Sequence, residues 1–449
     1  MERETKIISS ANVKPSSPTP RNLRHYKFSM LDQIFPPTAL ALALYYPNTT
    51  QINDPDSFAS QIMQQLTRSL SVILTRFYPL AGRASGEGEF IDCNDAGVPF
   101  TVARFSGHEL SEHLADPRPD LLLPCGTDWG TDPGPDSAVA LIQVNCFDCG
   151  GVAIGAVFWH KVVDASTVSA ILRSWGAAAR GSKEPVCPNY IAQYMFPQKE
   201  EMPVPLGSTT DIAKTGKSIV RRYIFDTSAI SSLRSKLSSV ELPSRVEVVS
   251  ALLWKCFMSA SLANGKSTSL LAQTLDLRRR AQPPFPPECF GNFLALAPAT
   301  STNDENAELG DLIKKMRDSI TKIDDDYISR MRGDEGLMGY YENLRLMWTE
   351  YSQEVDILPI SSVCGHGVYD IDFGWGKPVW SSRCETSNID SEMGLVWNRI
   401  WLTDTRFGDG IEAWVILEDK YMSVFDQVEE LRAIASVDPS PTLYLRSRF

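Results

Sequence analysis

The sequence predicts an α+β protein built as two halves, each combining strands with helices. Three observations carry this. Apolar strands and amphipathic helices follow one another along the chain without the strict strand–helix–strand alternation of one doubly wound sheet. Within FPQKEEMPVPLGSTTDIAKTGK at 196–217, a stretch rich in proline, glycine, serine and charge separates two sets of such elements, and 201–217 is the expected linker. A chain of 449 residues is also longer than one hydrophobic core usually organises, which favours two domains.

The elements follow in order. Residues 1–24 are polar and proline-bearing, and LRHYKFSMLDQIFPP opens the structured part. DPDSFASQIMQQLTRSLSVILTRFYPLAGR reads as a helix with Ser57 at its N-cap; Phe58, Ile62, Leu66, Leu70, Ile73 and Phe77 recur every three or four positions as one apolar stripe. SAVALIQVNCFDCGGVAIGAVFWH reads as two apolar strands turned back on each other at CGG. Val168, Ile171, Leu172 and Trp175 then sit at helical spacing, so 165–180 is a helix and His160 lies where a strand hands over to it.

Past the linker, RRYIFD is a strand. PSRVEVVSALLWKCFMSA is a helix opened by a capping box of Ser244 and Glu247. STSLLAQTLDLRRR is a strand, and 305–327 is a helix striped by Leu309, Leu312, Ile313, Met316, Ile320 and Ile323. IWLTDTRFGDGIEAWVIL reads as two strands joined by an Asp409-Gly410 turn, and Met422 to Ile434 as a last helix.

Composition narrows the function classes. The 43 basic residues are outnumbered by 55 acidic ones, a net charge of −12, which argues against a non-specific nucleic-acid binder. The start, MERETKIISS, has no apolar core for a signal peptide, and no apolar run reaches the roughly 18 residues of a bilayer span. The nine cysteines are scattered and odd in number. These features predict a cytoplasmic protein with free thiols and no membrane partner. CFDC at 146–149 lacks a second pair at metal spacing and reads as strand cysteines, so no metal site is expected.

Two histidine–aspartate pairs stand four apart: His160 with Asp164, and His366 with Asp370. His160 ends a buried strand, a place where clefts form; His366 sits in a glycine-rich loop. Asp164 either caps the following helix or orients the imidazole. No GxSxG elbow is present and no cysteine sits in a nucleophile setting, so a histidine base would act on a substrate hydroxyl or amine directly. DFG at 372–374 resembles a kinase motif, but the HRD loop and the glycine-rich phosphate loop are missing. Basic clusters such as Arg221-Arg222 and Arg278-Arg279-Arg280 are usually solvated surface; in an acidic protein the alternatives are holding a phosphate or a structural carboxylate. Ser244 and the helix it opens offer backbone amides as a phosphate seat.

HKVVD at 160–164 and DFGWG at 372–376, in this order and about two hundred residues apart, resemble the plant BAHD acyltransferases. The resemblance extends through YPLAGR at 78–83, IDCNDAGVPF at 91–100, SRVE at 244–247, DLRRR at 276–280, FGN at 290–292 and GDGIEAWV at 408–415. The opening, VKPSSPTPRNLRHYKFSMLDQIFPP, is most similar to the branch of alkaloid acetyltransferases and ester-forming alcohol acyltransferases. The resemblance implies two similar chloramphenicol-acetyltransferase-like domains (α/β two-layer halves with mixed sheets flanked by helices), 1–200 and 218–449, with 362–390 crossing back to the first and a channel between them. It implies His160 as general base, Asp164 as a structural acid paired with Arg278, and Asp372, Gly374, Trp375 and Gly376 beside Ser244 and Arg245 on the coenzyme A side. It also implies an enzyme that binds no permanent cofactor and uses acyl-CoA, most simply acetyl-CoA, and a small-molecule alcohol as co-substrates; a monomer is the default expectation. An ester-forming alcohol acyltransferase and a non-catalytic CoA-ester binder are the alternatives. Where the family often has glycine after the motif aspartate, this chain has Ala165, a better helix starter. The loop Phe35 to Thr38 is the candidate acceptor contact.

Overall fold

Two large sheets organise the chain in the computed structural model, which describes residues 4–35, 38–48, 54–85, 90–124, 136–182, 186–200, 214–237, 240–333, 336, 338, 340, 355–384 and 395–446. The first half carries β1 (Glu4–Val13), β2 (His25–Lys27), β3 (Ala39–Tyr46), β4 (Arg83–Ala84), β5 (Phe90–Asp92), β6 (Val98–Ser106), β7 (Ala140–Phe147) and β8 (Val152–Trp159). Its helices include α1 (Met30–Ile34), α2 (Pro55–Leu74), α3 (Leu110–Ala115) and α4 (Ala165–Ala179). The remainder carries β9 (Lys214–Thr215), β10 (Ser218–Phe225), β11 (Thr268–Asp276), β12 (Leu294–Thr302), β13 (Asp356–Ser362), β14 (Trp380–Arg383), β15 (Leu395–Val396), β16 (Arg399–Asp404), β17 (Ile411–Glu418) and β18 (Ser436–Val437).

The first sheet runs β1-β6-β7-β8-β3-β14 and the second β12-β11-β13-β16-β17-β10-β18. Both are mixed: β6 pairs β7 in parallel, as β11 pairs β13 and β13 pairs β16, while the other named pairs in these sheets are antiparallel. β14 comes from late in the sequence yet pairs β3, setting Trp380 against Tyr45 and Arg383 against Leu42. β8 is buried at all eight positions, VAIGAVFW. A strand without alternation is what a sheet covered on both faces requires. α2 and α4 pack together on this sheet, and the Trp175 indole donates to the Leu66 carbonyl and the Ser69 hydroxyl, both at 3.1 Å. In the second half, the helix Arg245–Ala263 is long and apolar enough to cross a membrane by length and composition alone. Here its apolar side chains, among them Val248, Leu252, Trp254 and Phe257, lie in the core that includes Leu358, Ile400 and Val415.

Several predicted boundaries move. α2 is capped by Asp54, whose carboxylate accepts the amides of Asp56 and Ser57, with Pro55 in the first turn; Ser57 lies inside the helix. Aspartate before proline is the stronger start signal, because proline's fixed φ suits the first helical position. The stripe over 305–327 is two helices, Leu309–Thr321 and Asp325–Met331, separated where Asp324 caps the second. The last predicted helix is likewise two, Asp419–Phe425 and Glu429–Ile434. β16 and β17 are joined by six residues, 405–410. There Thr405 Oγ1 accepts the Gly410 amide and donates to Asp409, so side-chain bonds close a loop longer than a two-residue turn. Of the expected linker, 201–213 lie outside the described residues, as do 385–390 of the segment expected to cross back.

Candidate active site

His160 is set in place by its backbone before its side chain does anything. β8 pairs β3 so that Trp159 lies opposite Ala39, and one residue on the His160 amide donates to the Thr38 carbonyl at 2.8 Å. Its own carbonyl accepts from Asn292 Nδ2 at 2.8 Å. The chain then turns, with the Val162 amide donating to the Trp159 carbonyl, and Asp164 opens α4 by accepting the Thr167 amide at 2.9 Å. His160 is 7% exposed, and its imidazole lies stacked on Phe35, ring centroids 4.4 Å apart. Nδ1 is sealed without a hydrogen-bond partner. Burial pushes the imidazole down to about 4, because desolvation penalises the cation. At neutral pH the ring is an uncharged base.

Asp164 faces away from that ring. Its carboxylate takes Arg278 in a two-pronged pair, Nη1 at 2.7 Å and Nη2 at 3.1 Å, and accepts the Phe293 amide at 3.1 Å. Both partners are buried. Burial alone would raise the carboxyl, but the Arg278 charge and four hydrogen bonds outweigh it and hold the group below its ordinary range. Arg278 also reaches the carbonyls of Cys289 and Gly291 and sits over the Phe293 ring. One guanidinium therefore ties the start of α4 to the 289–293 loop. Of the two roles open for Asp164, the structure shows a cap joined to an ion pair.

That loop delivers a residue to which the sequence reading gave no role. Gly291 has φ +118, a conformation glycine adopts without strain, and it turns Asn292 inward. The Asn292 amide groups N and Nδ2 both donate to Asp32 Oδ1, at 2.9 and 3.0 Å. Asp32 is fully buried at the start of α1, where its other oxygen accepts the Ser29 amide and hydroxyl. Burial raises its carboxyl to about 6, against the pull of those four donors. FGN at 290–292 was the visible signal for Asn292; Asp32 sent none.

The other predicted site residues lie elsewhere. Asp372 Oδ1 accepts the amides of Gly374 and Gly376 at 2.7 and 3.0 Å, closing DFGWG on itself. Gln65 of α2 donates to the Phe373 carbonyl and accepts from the Trp375 indole, and Phe373 packs edge-on against Trp175. The motif is thus a clasp on α2 and α4. Ser244 and Glu247 form the capping box, while Arg245 donates to the carbonyls of Gly408 and Gly410 and pairs with Asp404. His366 meets the start of α4 through Ser166 Oγ, 3.0 Å from Nε2, and Ser166 donates to Asp276. The basic clusters serve structure: Arg221 pairs Asp426 and Asp438, Arg222 lies 3.5 Å from Glu412, and Arg280 donates to the carbonyls of Ile320 and Ile323. Phe35 and Thr38 both touch His160; Pro36 and Pro37 between them lie outside the described residues. Among the described residues no cluster of three or more metal-ligating side chains occurs.

An uncharged, desolvated imidazole with one nitrogen sealed and its backbone held on both sides can accept a proton from a hydroxyl brought against it. The chain matches the model of the Transferase family over residues 4–432. It is 37% identical over 458 residues to epi-neemfruitin B 7-O-acetyltransferase of Melia azedarach, covering 98% of this chain and 100% of that one. It is 35% identical over 461 residues to limonoid 7-O-acetyltransferase of Citrus sinensis, covering 98% and 99%. Its structure is similar to the crystal structure of vinorine synthase, with a TM-score of 0.80 at 31% identity over 98% of this chain and 100% of that one.

Proposed function

The chain belongs to the Transferase family, the BAHD acyltransferases, and from that premise we propose that it is an O-acetyltransferase moving the acetyl group of acetyl-CoA onto a hydroxyl of a plant specialised metabolite, a terpenoid or alkaloid alcohol. The observation that carries this is the buried, neutral His160 at the end of β8. The relatives' names, both 7-O-acetyltransferases, support acetyl as the group and a polycyclic alcohol as the acceptor.

His160 takes the acceptor's hydroxyl proton as the oxygen attacks the thioester carbonyl. The tetrahedral intermediate then collapses: the carbon–sulfur bond breaks, and the imidazolium returns the proton to the leaving thiolate. The burial that keeps the ring neutral also makes its cation a ready proton donor, which suits the second step. Asp164 and Arg278 hold the motif and touch no reacting atom. Ser244, Arg245 and the DFGWG segment of Asp372, Gly374, Trp375 and Gly376 support the coenzyme side. The first domain is taken as 1–200 with 362–390 crossing back to it, a reading supported by β14 on β3, and the second as 218–449. The enzyme works as a cytoplasmic monomer.

The test is incubation with acetyl-CoA and a panel of limonoid, alkaloid and small aliphatic alcohols, with mass spectrometry of the products. An acetyl ester of a polycyclic alcohol is expected; esters of small aliphatic alcohols alone would move the protein to the volatile-ester reading.

A further inference from the structure

We propose that Asp32 is a positioning residue for the acyl transfer: its carboxylate fixes the Asn292 amide, and that amide fixes the His160 imidazole with Nε2 free to accept a proton. The proposal rests on the reading of His160 as the base.

The argument begins with Asn292. Its Nδ2 carries two protons and has two partners, Asp32 Oδ1 at 3.0 Å and the His160 carbonyl at 2.8 Å. Both are pure acceptors, so a flipped amide would set its oxygen against two oxygens. The orientation is therefore determined, and Oδ1 must sit on the other side. Asn292 Oδ1 is buried without a hydrogen-bond partner, and so is His160 Nδ1. One is an acceptor, and the other becomes a donor when the neutral ring carries its proton on Nδ1. After burial, which disfavours a charged ring, the Asn292 side chain is among the groups that favour a proton on it. Pairing the two orphans satisfies both and leaves the lone pair of Nε2 for the substrate hydroxyl.

Asp32 makes this arrangement hold. Its two oxygens divide the work: Oδ2 accepts the Ser29 amide at 2.9 Å and hydroxyl at 2.7 Å, the cap of α1, while Oδ1 accepts both Asn292 donors. The cap and the lock are therefore separable. Ser29→Ala weakens the cap and leaves the lock. Asp32→Ala removes both. Asp32→Asn keeps an oxygen for Asn292 and turns its amide toward Ser29, whose Oγ can accept but whose backbone N–H loses its acceptor, so the cap weakens while the lock holds.

Three measurements decide it, made on the full chain with acetyl-CoA and a turned-over alcohol. Asp32→Ala should lower kcat roughly tenfold or more while KM for acetyl-CoA holds. Ser29→Ala should lower Tm without that fall in kcat, and Asp32→Asn should restore most of it. Side-chain 15N NMR of the wild type should show His160 protonated on Nδ1, and of Asp32→Ala a mixture of tautomers. A wild-type His160 protonated on Nε2 overturns the proposal, and this readout stands even if Asp32→Ala fails to fold. So does loss of kcat in Asp32→Ala and Ser29→Ala only in proportion to the unfolded fraction. His160→Gln separates the two levels. Turnover in His160→Gln defeats the base itself, whereas an inactive His160→Gln beside a fully active Asp32→Ala defeats only the positioning role.

Discussion

At the scale of residues, burial decides what His160 can do. An ordinary histidine is half protonated near pH 6.5. His160, pushed down to about 4, keeps its base form well below that. The expected outcome is a kcat/KM that stays level as pH falls from 8 to about 6.5, where an unperturbed base would have lost half its active form. Stability moves with the same sign. The folded state binds fewer protons at His160 and at His113, which burial also pushes down to about 4. Their contribution is complete above about pH 6.5 and is lost as pH falls toward 4, so Tm should decline through that window on acidification. Asp164 behaves differently. Its depressed carboxyl remains ionised there, and its pair with Arg278 is lost only at lower pH. Asp164→Asn takes the two-pronged partner from a buried guanidinium that keeps only Asp276, 3.1 Å from Nη1, and should cost about 1–3 kcal/mol in denaturant unfolding. His160 and Asp164 were legible because a strand, a turn and a helix start follow from a hydrophobic pattern. Asp32 was not, since it is 260 positions from the residue it holds, and chain-order reasoning has no way to bring the two together.

At the scale of elements, the hairpin of β7 and β8 and the helices opened by Asp164 and Ser244 were readable, whereas β1, in a polar stretch read as preceding the structured part, and the start of α2 at Asp54 were not. Periodicity continues through the bend at 322–324 because Ile323 is buried beside both short helices, so one stripe hides two axes. Capping chemistry was readable where side chain and amide lie three apart, as for Ser244 and Glu247. DFGWG has a packing reason that its glycines only hinted at. Gly176 on α4 approaches the Asp372 carbonyl so closely that a Cβ there would lie 2.7 Å from its oxygen. Gly176→Ala must push the clasp off α4, and should lower stability by about 1–3 kcal/mol in thermal unfolding. The same substitution should spare the His160 tautomer, because the clasp contacts α2 and α4 and not the 289–293 loop.

At the scale of the whole molecule, late sequence is used to bind early sequence. β14 completes the first sheet beside β3, and from it the Trp380 indole donates to Glu412 on β17 of the second sheet at 3.2 Å. Glu412 is fully buried, with Arg222 3.5 Å away and that guanidinium 5.1 Å over the Trp380 ring. Trp380→Phe keeps an aromatic side chain but strips a donor from a buried carboxylate and removes part of a buried ring, and about 1–3 kcal/mol of stability should go with it in denaturant unfolding. The two halves thus meet through β14 and again through Asp164, Arg278, Asp32 and Asn292, and the second meeting surrounds His160. The central claim is that this one imidazole is the base of an acetyl transfer. The most direct test is release of free thiol from acetyl-CoA with an accepted alcohol, wild type beside His160→Ala of equal Tm. Thiol release that requires both the alcohol and His160 is the predicted result; undiminished release by His160→Ala would contradict it.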